Sequence, residues 1–339
     1  MSLPFLNGAR KKYDVYVCCS PGAARIHELV TPPDRLIVLE MPALHGPKFS
    51  LGAWAAYFKK LAQLRRLRAQ VGVTVWADVR VHLLMLLLGI PQRIGFPMNE
   101  VNYYAHELPI RKKKLETGES IQRALQLLHI KVLTTVLQRG SYRQHHVEDW
   151  QQIAQPLQIP WDVDPLWLDP GPAPAAAADF LARQAGRKIW FLHPGAGKEI
   201  RRWPHFELMV RQLFAPRNVP LIILDDPGSP RIDVEYENCL HWPMGTLADF
   251  FALAARCDYL LCNDTAAAHV GTALRRHVVT IFGPGSSDWF APYTRERTVI
   301  ESHACPYRPC LDNCVQPTLV CLNDVTPERV TGQLEKLLS

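Results

Sequence analysis

Short apolar runs at 15–19, 35–39 and 73–77, bounded by polar or turn-forming positions, read as strands in the first half of the chain. Helical patterns lie between or after them, the alternation that builds a parallel sheet. The longest such pattern, 48–69 (KFSLGAWAAYFKKLAQLRRLRA), places Leu51, Trp54, Ala55, Phe58 and Leu61 on one helical face. Lys59, Lys60, Arg65, Arg66 and Arg68 gather towards its end, where cations also suit the helix dipole. A core-facing helix with a basic exterior is expected, and the same amphipathic pattern raises peripheral contact with an anionic membrane face.

The periodicity breaks at 156–178 (PLQIPWDVDPLWLDPGPAPAAAA), whose repeated prolines deny both a continuous helix and a central strand. We divide the chain there, into a first domain over 1–160, a linker over 161–178 and a second domain over 179–339. A second alternation follows: helix 179–185, strand 188–192, helix 204–214, strand 219–224, helix 246–256, strand 258–262, helix 266–275 and strand 277–282. The predicted fold class is α/β, with two Rossmann-like, doubly wound domains facing across a cleft. In such sheets ligands sit at the carboxyl ends of the strands, so the turns after each strand of the second half are where chemistry is sought.

Composition narrows the function classes. A chain of 339 residues that is 48% hydrophobic and 21% charged is a soluble globular protein of two ordinary cores. Its 38 basic and 32 acidic side chains leave a net charge of +6, too mild to argue a nucleic-acid partner but suited to an anionic small molecule. The start, MSLPFLNGARKKYDVY, lacks a charged stretch followed by a long apolar one. The longest apolar run, at 83–88, falls far short of the roughly 20 residues that span a bilayer. A cytoplasmic protein with reduced cysteines is expected.

Two motifs in the second half carry candidate chemistry. In KIWFLHPGAGKEIRRWP (188–204) a buried strand empties into a loop where Gly195 and Gly197 permit close backbone approach or positive φ. Lys198, Arg201 and Arg202 follow, and Pro204 stands where a helix would begin. Glycines plus cations after a strand cradle phosphate through backbone N–H groups and positive charge together, although a solvated basic loop has the same composition. In YLLCNDTAAAHVGTALRRHVVTIFGP (259–284), any of Asn263, Asp264 and Thr265 suits the cap of the helix that follows. Ala266 and its two alanine neighbours let an anion approach the first-turn N–H groups, and His269 falls one turn in, either at the same mouth or as a helix histidine with a structural role. Between the two motifs, Met244 and Gly245 precede a helix capped by Thr246. The thioether of Met244 fills core or meets a purine face.

With these motifs in view, the sequence resembles glycosyltransferase family 9, the lipopolysaccharide core heptosyltransferases, over nearly its whole length. That family's strand and glycine loop, with a basic residue two before Trp-Pro, match Arg201 ahead of Trp203-Pro204. Its Asp-Thr-Gly-x-x-His turn matches Asp264, Thr265, Ala266 and His269, with alanine in place of glycine. A Met-Ser-Leu element matches Met244, Gly245 and Thr246 less closely. In the first half, VTVWADVRVHLLMLLLGIPQRIGF (73–96) resembles the family's strand, turn, helix and Arg-Ile-Gly-Phe. The resemblance implies a GT-B fold, a nucleotide-diphosphate-sugar donor in the C-terminal domain, and a saccharide or lipid-linked acceptor in the N-terminal one. It further implies inverting transfer of a heptose from ADP-heptose, at the inner face of the inner membrane and without a catalytic metal. The family's base is an aspartate in a Gly-Asp pair shortly before a Leu-Pro. Leu3-Pro4 resembles that Leu-Pro, which puts the aspartate upstream of Met1: either the start is truncated, or the first strand and its base are lost. Asp78 is the nearest carboxylate in a comparable place, as a candidate base or as a turn or cap residue.

Two features remain. Arg111, Lys112, Lys113 and Lys114 form a run that would pair with acceptor phosphates or simply face solvent. Residues 305–321 (CPYRPCLDNCVQPTLVC) place Cys305, Cys310, Cys314 and Cys321 in one short segment. In a reducing compartment that spacing suits a structural zinc, or iron second, as well as four packed thiols. Besides the transferase, a homologue that binds the nucleotide sugar without turning it over fits the same motifs. So does a nucleotide-sugar epimerase, which would need carboxylates such as Asp225, Asp226 or Asp288 beside the donor sugar.

Overall fold

The computed structural model describes residues 2–41, 50–97, 125, 131–141, 143–161 and 168–338. The basic run 111–114 and residues 162–167 of the predicted linker lie outside them. The described residues divide into two compact units, one over 2–161 and one over 168–338. Both are α/β with parallel strands.

In the first unit β1 (Val17–Cys19) pairs with β2 (Leu36–Val38), and β3 (Val71–Thr74), β4 (Gln92–Gly95) and β5 (Thr135–Val136) form a second parallel sheet. Helix α1 (Leu3–Arg10), with proline in its first turn, buries Phe5, Leu6 and Ala9 in a core with Ile94, Phe96 and Ile153, the last from α5 (His146–Ala154). Leu157 and Ile159, at the start of the proline-rich stretch, belong to this same core. Helix α2 (Pro21–His27) follows β1, and α4 (Val79–Leu87) follows β3. Helix α3 (Leu51–Arg65) requires a correction. Its core face is Tyr57 and Leu61, packed with Leu39, Met41 and Leu84, whereas Leu51 is 88% exposed and Phe58 53%. Leu61 of the predicted stripe is buried and Trp54 packs against the same core, but the face turns to take in Tyr57, an amphipathic ring with a buriable body.

The second unit is one six-stranded parallel sheet, ordered β11-β10-β9-β6-β7-β8. Its strands are β6 (Trp190–His193), β7 (Leu221–Asp225), β8 (Cys239–Pro243), β9 (Tyr259–Asn263), β10 (His277–Phe282) and β11 (Arg297–Glu301). The four inner strands are apolar on both faces because helices cover both. Trp190, Leu192, Leu221, Ile223, Leu261, Val279 and Ile281 share a core with Phe206, Met209, Leu213 and Phe214 of the helical segment after β6. Burying each such side chain contributes about 1.5–3 kcal/mol. That segment is α7 (Phe206–Met209), which continues into a wider π turn over Val210–Phe214. It is preceded by α6 (Ala178–Arg183) and followed by α8 (Leu247–Ala254) and α9 (Ala266–Ala273). The short α10 (Ser287–Phe290) and α11 (Val320–Asn323) and the C-terminal α12 (Pro327–Leu338) complete the unit.

The strand order places the chemistry. From β6 the chain moves outward to β7 and β8, then returns to the other side of β6 as β9 and proceeds to β10 and β11. The order therefore reverses between β6 and β9, which pair in parallel from Trp190↔Tyr259 to His193↔Cys262. At such a reversal the two neighbouring connections diverge to opposite faces and leave a crevice at the carboxyl ends of the strands. The two motifs singled out in the sequence are the segments that leave these two strands. Among the described residues, no helix is long and apolar enough to cross a membrane.

Candidate functional site

Asn263, the last residue of β9, binds the two motifs into one structure. Fully buried, it accepts from Trp203 N (2.9 Å) through Oδ1 and donates through Nδ2 to the carbonyls of Pro194 (2.8 Å) and Gly195 (3.2 Å). A buried amide with its polar atoms engaged fixes the loops it joins, because leaving any of these groups unpaired costs about 1–3 kcal/mol. Sequence reading treats Asn263 only as one of three capping candidates. The structure assigns the cap to Thr265, whose hydroxyl accepts from Ala267 N at 3.3 Å.

The glycine loop departs from expectation in detail. Neither Gly195 nor Gly197 adopts positive φ. Gly195 is small because of crowding: an added Cβ would lie 2.3 Å from Ser229 Oγ and 2.9 Å from Asp226 Oδ2. At Gly197 a Cβ would meet open space, so that residue leaves the loop uncovered rather than strained. Arg202 turns back to donate twice to the carbonyl of Ala196 (3.0 and 3.2 Å), so it staples the loop and does not stand beside Arg201 as a second free cation.

Arg201 and Lys198 converge on one carboxylate absent from the sequence-derived set. Asp312 Oδ1 accepts from Arg201 Nε at 2.6 Å, while Oδ2 accepts from Arg201 Nη2 and Lys198 Nζ, both at 2.8 Å. Burial works to raise the Asp312 carboxyl, but these bonds outweigh it and hold it below its ordinary value. The same bonds raise Arg201 above its usual range. On the other side, Arg201 Nη1 faces Asp264 Oδ2 at 3.5 Å, an ion pair too long to be a hydrogen bond. Asp264 is buried, its Oδ2 has no hydrogen-bond partner, and burial pushes its pKa up to about 6 against the pull of Arg201. A buried acceptor left unsatisfied beside a cation is rare in folded proteins and marks this turn out from an ordinary cap. Ala266 is exposed, and His269 is half-buried one turn into α9.

Two further connections close the edge. Thr246 caps α8 with a reciprocal box, accepting from Asp249 N while the Asp249 side chain accepts from Thr246 N. Met244, half-buried just past β8, donates its N–H to Asp225 O at the end of β7. After β10, Gly285 presses against the site: a Cβ there would lie 2.1 Å from Asp264 Oδ2. At the same edge, Asp226 accepts from Ser229 and stands 3.6 Å from His193 Nε2, and Asp225 stands 3.4 Å from His241 Nδ1. Burial lowers the His193 pKa despite Asp226. These carboxylates already have partners, and the epimerase reading gains no support from them.

Asp78 is the N-cap of α4. Its Oδ1 accepts from Arg80 N at 2.9 Å, and both carboxylate oxygens receive the Arg80 guanidinium, at 3.0 Å from Nε and 2.6 Å from Nη2. Burial opposes the shift, but Arg80 holds the carboxyl below its ordinary value, which makes it a weak base. The geometry is that of a cap.

Of the four clustered cysteines, two lie in the core and Cys314 is half-exposed. Cys305 and Cys321 are buried with Leu322, Val325 and Val330, and burial raises the Cys310 thiol to about 11, with the neighbouring thiols of Cys314, Cys321 and Cys305 adding to the shift. Among the described residues no three His, Cys, Asp or Glu side chains are grouped as ligands for a metal ion.

Known proteins resemble this chain in sequence and in fold. The model of glycosyltransferase family 9 (heptosyltransferase) matches residues 59–318. Lipopolysaccharide heptosyltransferase 2 of Salmonella typhimurium is 33% identical over 87 residues, 26% of this chain and 25% of that protein, and its Escherichia coli K12 counterpart is 31% identical over 86 residues. These alignments span about a quarter of the curated relatives. Among solved structures, E. coli ADP-heptose lipopolysaccharide heptosyltransferase II superposes with a TM-score of 0.63 at 17% identity, covering 99% of this chain and 93% of that one. E. coli heptosyltransferase WaaC with ADP gives 0.65 at 15%, covering 99% and 94%.

Proposed function

This chain belongs to glycosyltransferase family 9 and has the α/β fold of its GT-B heptosyltransferases; from that premise we propose that it transfers a heptose from ADP-heptose to a lipopolysaccharide-core saccharide, with inversion. One observation carries the proposal: the two motif loops leave adjacent strands at the point where the strand order reverses, with Arg201, Lys198 and the amino end of α9 gathered there. Several expected donor-site residues then have roles. Gly197 leaves the loop open to the diphosphate, and Gly195 lets the loop pack against Ser229 and Asp226 in that position. Arg201 and Lys198 oppose its charge, and the first turn of α9 after Asp264, Thr265 and Ala266 offers backbone N–H groups. In this reading Met244, half-buried past β8, meets the face of the purine, and His269, one turn into α9, faces the donor.

In the reaction an acceptor hydroxyl attacks the anomeric carbon as its bond to the β-phosphate oxygen breaks. The electron pair leaves with ADP, and the acceptor proton passes to a base. Charge thus grows on the diphosphate in the transition state, where preorganised cations and N–H groups act most strongly. WaaC has been solved with ADP and with ADP-2-deoxy-2-fluoro heptose, which supports ADP as the nucleotide here. A lipid-linked acceptor would bring the enzyme to the cytoplasmic face of the inner membrane, with the basic exterior of α3 available to anionic lipid.

A thermal-shift panel tests the donor assignment. ADP-heptose and ADP should raise the melting temperature, and UDP- and GDP-sugars should not, because selective binding to the native state stabilises it. A uniform response, or none, would remove the assignment. The occupied carboxylate of Asp78 favours one second reading, a homologue that holds the donor without turning it over. Release of ADP from ADP-heptose with core saccharide present separates the two.

A further inference from the structure

We propose that Asp312, from the cysteine-rich segment, is a positioning residue for donor binding: it holds Arg201 and Lys198 where the diphosphate requires them. The inference rests on the donor-site reading above. Asp312 lies 111 residues from Arg201 and 114 from Lys198 in sequence, yet its two oxygens take the Nε and Nη2 edge of Arg201 and the ammonium of Lys198 within 2.6–2.8 Å. Its side chain is 6% exposed, against 62% for Lys198. A side-on pair of this kind fixes the plane of a guanidinium, which a single contact cannot do.

The segment is shaped to deliver this carboxylate. Leu311 (φ 48°) and Asp312 (φ 70°) are consecutive left-handed residues, an unfavourable conformation for non-glycine side chains and most of all for leucine. Backbone and side-chain bonds maintain it: Leu311 N donates to Pro284 O (3.0 Å), Asn313 N to Cys310 O (3.0 Å), and buried Arg308 to Gly283 O (2.6 Å) and Ser302 O (2.7 Å). Arg308 also pairs with Glu301 at the end of β11. The segment is therefore anchored to the turn after β10, and its tip reaches across to the loop after β6. With Nε and Nη2 committed to Asp312, the remaining edge of Arg201, Nη1, is directed to Asp264, where the donor phosphates would lie.

A carboxylate beside two phosphate-binding cations has one opposite role, that of a competitor which a diphosphate must displace. The two roles predict opposite signs. Titration calorimetry with ADP and AMP on the wild type, Asp312→Asn, Asp312→Glu and Arg201→Ala decides between them. Positioning predicts that D312N weakens ADP about 10-fold or more and AMP by less than about 3-fold, with D312E about 3-fold weaker for ADP. Loss of selectivity for the diphosphate over the monophosphate is a readout that general loosening of the fold does not produce. Wild-type or tighter ADP binding by D312N overturns the proposal, and so does equal loss of ADP and AMP. Should D312N fail to fold, D312E carries the test, and wild-type ADP affinity in that variant overturns it. Failure of the underlying donor reading has a separate signature: no ADP binding by the wild type, or no loss in R201A.

Discussion

The turn after β9 and the turn after β3 are both strand-to-helix junctions with an aspartate, and they differ in how far their partners come from. Asp78 is held by Arg80, two residues away, and caps its own helix. Asp264 leaves the cap to Thr265 and faces Arg201, Gly285 and, through Arg201, Asp312. A carboxylate satisfied locally serves the helix that it starts. One that is buried, unsatisfied and surrounded by groups from three other connections is kept for something else, since its retention costs stability that no local structural role returns.

The contrast breaks most visibly at Asn263. Asn263→Ala removes three hydrogen bonds and strands buried partners, so about 2–4 kcal/mol of stability should be lost together with donor binding. Urea unfolding measures the first and calorimetry the second. Arg201→Ala should weaken the donor by about 2 kcal/mol, roughly 30-fold, and should also lower stability, because the buried Asp312 and Asp264 carboxylates lose their guanidinium. Gly285→Ala forces Asp264 aside and should cost about 1–3 kcal/mol, whereas Gly197→Ala, with open space around its Cβ, should fold as the wild type.

A pH series sharpens the comparison. Asp264, at about 6 when folded, stands above its unfolded value, so the native state binds the extra proton between these two values. Its contribution makes stability decline as pH rises from about 4 through 6, and Asp264→Asn should flatten that part of the profile. Asp78 is shifted the other way: its contribution is present above its unfolded value and is lost as the pH falls through the lower folded one. The smallest effect belongs to Asp78→Ala, about 1 kcal/mol of stability from the lost cap, with donor affinity unchanged.

What could be read beforehand follows the same division between local and distant. The inner strands of the second unit announced themselves as apolar runs, since a sheet covered on both faces needs them. The strands not anticipated there, β8 and β11, are its two edges, where CLHWP and RTVIE are mostly half-buried and carry no such run. Capping by Thr246, and by one of Asn263, Asp264 and Thr265, was legible because it is decided within three residues, while the choice of Thr265 came from the structure. Asp312 was not: its meaning depends on a pairing across more than a hundred residues, and a single acidic residue among cysteines gives no periodic or local signal. The face of α3 was misread for a related reason, because which side of Tyr57 and Phe58 is buried depends on Leu39 and Leu84.

The central claim is that a nucleotide-sugar diphosphate lies at the carboxyl edge between β6 and β9. A crystal structure of the protein with ADP-heptose, or with a fluorinated analogue that is not turned over, tests it most directly. Phosphate oxygens within hydrogen-bonding distance of Arg201 and of the first-turn N–H groups of α9 are the predicted result. Phosphates bound at any other edge of the sheet, with Arg201 and Asp264 untouched, would contradict it.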